Sequence, residues 1–135
     1  MSTALQTVQQ IYAAFARGDI QGIVDLLDDD VQWEPWASNS AQAADVPWLR
    51  AGSGKAAAWR FFEEIGRWRF ESFQVLGLMS NDTQVAAEAV VDAVMPGGQR
   101  LRDEEMHLWN FNAAGKVTRF RHYADTAKHI AAASR

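Results

Sequence analysis

The apolar residues of this chain change their spacing at Trp68, and that change bounds the fold. Before Trp68, in the runs 3–27 and 53–66, they recur every three or four positions. Beyond it they alternate, and Ser80-Asn81-Asp82, Pro96-Gly97-Gly98 and Asn112-Ala113-Ala114-Gly115 cut the alternation into runs. A helical period puts a stripe on a helix and a two-fold period puts a face on a strand, so helices come first and an antiparallel meander follows. This order predicts an α+β fold, a curved sheet wrapped around three N-terminal helices with a cone-shaped hollow between them. The 135 residues suit one domain, 1–135, with a core large enough to need no metal or disulfide staple.

Leu5, Val8, Tyr12 and Phe15 predict a first helix over 3–17, closed by Gly18. Asp19 caps a second, short helix with the stripe Ile20, Ile23, Val24 and Leu27, which Asp28-Asp29-Asp30 stops. A strand covers 31–36. Residues 37–52 have no period, are rich in small and polar types and contain Pro47-Trp48-Leu49, which reads as a long loop with an aromatic tip. Ser53 caps a third helix whose inner stripe is Trp59, Phe62 and Ile65. Strands follow over 69–79, 84–95, 100–111 and 116–123, and Thr126 caps a terminal helix through Ile130.

A formal charge of -4 with no lysine-arginine cluster argues against nucleic acid as a partner. The absence of cysteine excludes disulfides and thiolate metal sites, and no apolar run suits a membrane span. With no signal peptide visible, the expected location is the cytoplasm. Gly52-Ser53-Gly54-Lys55 opens a helix but follows a loop and lacks the glycine spacing of a phosphate-binding loop.

Chemistry concentrates on the last hairpin. Alternation puts His107, Trp109 and Phe111 on one face of their strand and Phe120, His122 and Ala124 on one face of the next, so both imidazoles aim at one aromatic hollow. Two histidines and a carboxylate are also a ligand set of some iron and zinc enzymes, but the spacing is not that of a tight metal motif, and neither metal nor cofactor is expected. His129 is placed at the surface, and Asp125 at the cap of the last helix. Trp33, Trp36, Trp48, Trp59 and Trp109 are assigned to core or pocket wall.

Val8-Gln9-Gln10-Ile11-Tyr12-Ala13-Ala14-Phe15 leading into Gly18-Asp19-Ile20, Asp29-Asp30-Val31-Gln32-Trp33-Glu34-Pro35 and Phe111-Asn112-Ala113-Ala114-Gly115-Lys116-Val117 together resemble the nuclear transport factor two-like superfamily, and within it the ketosteroid isomerase and SnoaL-like polyketide cyclase group. The resemblance covers nearly the whole chain. It implies that Glu34 stands where the isomerases keep their proton-shuttling aspartate, and that His107 stands where they keep a protonated aspartate that donates to an oxyanion. The isomerase tyrosine position falls on Ile11, with Tyr12 one residue further round the helix. SnoaL-like relatives place an acid-base residue on the last strand, where this chain has His122. Glu105 and His107 replace the Arg-Asp pair of the related epoxide hydrolases, which argues against that reaction. The expectation is acid-base isomerisation or cyclisation of a small hydrophobic carbonyl compound by Glu34, His107 and His122. Tyr12, Trp36, Trp48, Trp59, Phe62, Trp109 and Phe120 are expected to contact the ligand, with Trp48 closing the mouth, and the resemblance implies a homodimer. The alternative is a module that binds a small apolar ligand without changing it.

Overall fold

The computed structural model describes residues 3–36 and 38–134, so Ala37, the first residue of the expected loop, lies outside the described residues. Helix α1 (Thr3–Ala16) buries Val8, Ile11 and Ala14, and the stop at Gly18 uses that residue's positive φ of 73°. Asp19 caps α2 (Ile20–Val24) by accepting the Gly22 N–H at 2.9 Å. Strand β1 (Leu27–Trp33) begins earlier than the sequence suggested. Leu27 belongs to it rather than to the helix, and Asp29 and Asp30 stand exposed within the strand. An aspartate run is tolerated there because those two carboxylates stay in water.

The expected loop contains structure of its own. Asn39 and Gln42 form a reciprocal capping box around the short helix α3 (Ser40–Ala43), and Pro47–Leu49 makes one 3-10 turn that buries Trp48. A two-residue strand, β2 (Gly52–Ser53), precedes α4 (Lys55–Ile65), whose N-cap is Gly54 at φ 81° rather than Ser53. Helix α4 buries Ala57, Ala58, Phe62 and Ile65 and turns Trp59 outward, 36 % exposed.

The meander is β3 (Arg69–Ser80), β4 (Gln84–Val94), β5 (Arg100–Phe111) and β6 (Val117–Tyr123), followed by α5 (Thr126–Ala133). Together with β1 and β2 it forms one six-stranded sheet in the order β2-β1-β6-β5-β4-β3. All neighbours run antiparallel except β1 and β6, which are parallel. The chain between those two strands runs through α3, α4 and the meander strands β3 to β5, which supplies the long connection that a parallel pair needs. The sheet is thus a mixed α+β layer, with a cavity enclosed between its inner face, α1 and α4. No helix among the described residues is long and apolar enough to cross a membrane.

Candidate functional site

Strand β5 alternates without interruption, burying Leu101, Asp103, Glu105, His107, Trp109 and Phe111 on its inner face. Two-residue periodicity therefore carries two carboxylates inside along with the histidine. On β6 the inner positions are Phe120 and His122, and His122 lies directly opposite His107 with ring centroids 4.7 Å apart. Helix α1 contributes Tyr12, α4 contributes Phe61 and Phe62, the 3-10 turn contributes Trp48 and α5 contributes His129 to one cavity of about 60 Å³. Such a volume holds a few waters, at roughly 10–15 Å³ for the first.

A continuous hydrogen-bonded chain crosses this cavity wall. Trp109 Nε1–H donates to the Tyr12 hydroxyl at 3.1 Å, and that hydroxyl lies 2.6 Å from His107 Nδ1. His107 Nε2 is 3.0 Å from Glu105 Oε1, while Glu105 Oε2 is 3.0 Å from His129 Nε2. His129 Nε2 also lies 2.8 Å from Asp103 Oδ2, and its Nδ1 accepts Trp48 Nε1–H at 2.9 Å. An indole N–H can only donate, so His129 Nδ1 is bare in this structure and Nε2 carries the proton. Burial would raise Glu105, but hydrogen bonds from His107 and His129 overcome it and hold the carboxyl well below its usual range. Facing an ionised Glu105, His107 Nε2 must donate, which leaves Nδ1 to accept from the Tyr12 O–H. Burial pushes His107 down and keeps it neutral, and burial likewise pushes the Tyr12 phenol up and keeps it protonated. Both arms of the chain point toward Glu105.

Glu34 and His122 form a separate pair. The His122 backbone N–H donates to Glu34 Oε1 at 2.9 Å, and His122 Nδ1 bonds Glu34 Oε2. Glu34 is fully buried and lies behind His122, outside the cavity lining. Its backbone occupies the left-handed region at φ 52°, unusual for a residue with a side chain, and is held by its N–H on Phe120 O at 2.8 Å and by Gln42 Nε2 on its carbonyl at 3.0 Å. Burial raises Glu34, and the neighbouring imidazole opposes that rise. For His122, burial disfavours the charge but Glu34 outweighs it, so the ring sits above its ordinary value. His122 Nε2 makes no hydrogen bond among the described residues, and the nearest carboxylate oxygen, Glu105 Oε1, is 4.0 Å away.

The structure thus brings Glu34, His107, His122, Tyr12, Trp48, Phe62, Trp109 and Phe120 together around one site, with Glu34 one step removed from the cavity. Two expected wall residues are elsewhere. Trp36 packs edge-on against Tyr123 under the Arg121 guanidinium on the outer face, and Trp59 faces solvent from α4. His129 is a correction as well, since it is 2 % exposed and central to the network rather than at the surface. Asp125 is the N-cap residue of α5, yet its side chain makes no capping bond. Asp103 and Glu105 were missed as site residues, although their spacing of four and two from His107 puts all three on one strand face. Glu105, His107 and His122 offer ligand atoms within 4.8 Å of one another, as do Asp103, Glu105 and His129. These are the residues that could hold a metal, and a cation there would replace the hydrogen bonds they make to one another.

Comparison with known proteins places this geometry in a family. The SnoaL-like domain model matches residues 8–120. A nuclear transport factor two-like protein of unknown function from Burkholderia pseudomallei shares 21 % identity at TM-score 0.78, covering 100 % of both chains. The Δ5-3-ketosteroid isomerase of a Mycobacterium species shares 22 % at TM-score 0.73, covering 95 % of this chain and 97 % of its own. A Mycobacterium tuberculosis protein solved in complex with estradiol-17β-hemisuccinate shares 24 % at TM-score 0.72, covering 91 % and 94 %. No curated protein matches the chain in sequence. By the match of the domain model over most of its length, the chain belongs to the SnoaL-like domain family.

Proposed function

We propose that this protein catalyses proton transfer, of isomerase or cyclase type, on a small hydrophobic carbonyl compound, with His122 as the group that moves the proton. The observation that carries this reading is the state of the histidine nitrogens. His107 and His129 have both ring nitrogens engaged, whereas His122 Nε2 has no hydrogen-bond partner among the described residues and belongs to a ring lining an aromatic cavity. Glu34 acts through His122. Bonded to both the backbone N–H and Nδ1, it fixes the ring's tautomer and orientation and strengthens Nε2 as a base. Tyr12, kept protonated by burial, is the donor for the substrate oxygen, and its proton turns from His107 to the carbonyl as negative charge develops there.

The experiment is hydrogen-deuterium exchange at carbons next to the carbonyl in a panel of cyclic ketones, followed by NMR in heavy water. His122→Gln lowers the exchange rate by roughly a hundredfold or more, the usual worth of a general base. Glu34→Gln lowers it less and shifts its pH profile. Exchange unchanged in His122→Gln removes the reading. A second reading, binding without chemistry, is favoured by the way Tyr12, His107, Glu105 and His129 use one another's polar atoms. Tight binding with no exchange at any carbon decides for it. In either reading the protein works as a homodimer through the outer face of the sheet.

A further inference from the structure

The cavity that holds His122 is too small for the ligand class just proposed. A dry cavity must reach on the order of 150 Å³ before it accepts benzene, and drug-sized sites run from roughly 300 to 1,000 Å³. Against those sizes the aromatic cavity offers about 60 Å³. An outer cleft of about 630 Å³ lies beside it, lined by Pro47, Arg50, Arg60, Glu63 and Arg67 among others, and the two spaces have Trp48 and Phe61 in common. The cleft has the volume and lacks the imidazoles; the cavity has the imidazoles and lacks the volume. Among the described residues, only Trp48 and Phe61 stand in both walls.

Of these, Phe61 sits within the long helix α4, whereas Trp48 sits on a short turn. It rides on a single 3-10 turn, meets Trp68 edge-on at 4.9 Å, and its one side-chain hydrogen bond among the described residues is that to His129 Nδ1. The turn follows Asp45, a non-glycine residue at φ 56°. Charge in the cleft is uneven. Arg50 is doubly bonded to Asp45 at 2.9 and 3.2 Å, and Arg67 is paired with Glu64 at 3.5 Å. Arg60 has no ion pair among the described residues, nor has Glu63.

We propose that Trp48 is a gate latched by His129, and that its opening joins the aromatic cavity to the arginine-lined cleft as one elongated site for an apolar ring compound with an anionic end group held by Arg60. This deepens the proposed function by naming its substrate class and rests on the same cavity. Two dyes test it in alkaline buffer, where His129 is neutral and the latch intact: anilinonaphthalene sulfonate, anionic, and Nile red, neutral. Trp48→Ala should bind both dyes about tenfold more tightly, the scale of one hydrogen bond no longer broken on entry. Trp48→Phe, which keeps a ring and loses the N–H, should shift the same way and covers the case in which Trp48→Ala fails to fold. Arg60→Gln should weaken the sulfonate dye about tenfold and leave Nile red unchanged. Neither Trp48 variant gaining affinity overturns the gate, and Arg60→Gln acting equally on both dyes overturns the anionic end group. Dye binding involves no proton transfer, so a failure of the ketone exchange assay leaves this result standing, and the converse also holds.

Discussion

His129 is pulled two ways, and the conflict has a measurable consequence. Burial disfavours its charge, but its hydrogen bonds to the Asp103 and Glu105 carboxylates outweigh burial and push the ring up to about 9. The Trp48 bond demands the opposite, because a doubly protonated ring would present N–H against N–H. The closed structure is therefore the neutral tautomer, and protonation of Nδ1 expels Trp48. The sign follows. Below the unfolded value near 6.5 the raised pKa contributes its full stability through the two carboxylates, and this is lost as pH rises through about 9, while the latch forms over the same interval. Tryptophan emission should titrate with a midpoint near 9, and in His129→Gln the titration should vanish, since an amide accepts from Trp48 and donates to Asp103 at every pH. A wild-type emission flat between pH 6.5 and 9 would contradict the tautomer argument. At this scale the sequence was partly legible. The facing of His107 and His122 followed from alternation alone. His129 did not, because a single histidine on a short helix carries no mark of the carboxylates that another strand turns toward it.

The segment between β1 and α4 decides how easily Trp48 moves, and one side chain ties it down. Gln42 closes the capping box with Asn39, and its Nε2 also donates to the carbonyls of Glu34 and Leu49 at 3.0 and 3.2 Å. Leu49 follows Trp48, so Gln42 links the gate to the residue that holds His122. Gln42→Leu keeps the volume and removes these bonds. It should cost about 1–3 kcal/mol in urea unfolding, the range for buried groups left unpaired, and speed amide exchange across residues 46–49. Equal protection in both proteins would show that the segment is held by packing alone. The length and aromatic tip of this loop were readable from its lack of period. Its ties were not, since a capping box preserves helix ends without saying which carbonyls a glutamine's free N–H atoms will reach. Strand β1 shows the same limit: Asp28-Asp29-Asp30 is a helix stop by composition, yet it lies within the strand, in the register irregularity between the Leu27–Val117 and Gln32–Arg119 pairs with β6.

For the whole molecule, the change of period at Trp68 was enough to separate a helix-rich half from the antiparallel meander, because each helix stripe and strand face is set by a local rule. The parallel pairing of β1 with β6 depends on contacts far apart in sequence and has no local mark. The face left by this topology has a further consequence. Outside the barrel, Met106 pairs with Tyr123 and Leu108 with Arg121 across β5 and β6. Trp36 and Tyr123 hold the Arg121 guanidinium at 4.7 and 5.0 Å from their ring centroids, and Arg121 Nε is buried with no hydrogen-bond partner among the described residues. Tyr123 is 44 % exposed, and Leu76 and Met79 on the edge strand β3 are each 56 % exposed. An apolar face carrying an aromatic-clamped arginine has the composition of an interface core. A dimer that covers it should sediment as one species at micromolar concentration. Leu108→Lys sets a second cation against Arg121 in that face and should weaken association about a hundredfold or more, because two buried like charges cannot both be paired. Dye binding in the cavity should survive the change, since Leu108 points away from it. A wild-type protein that sediments as a monomer at every concentration would show that this face needs no partner.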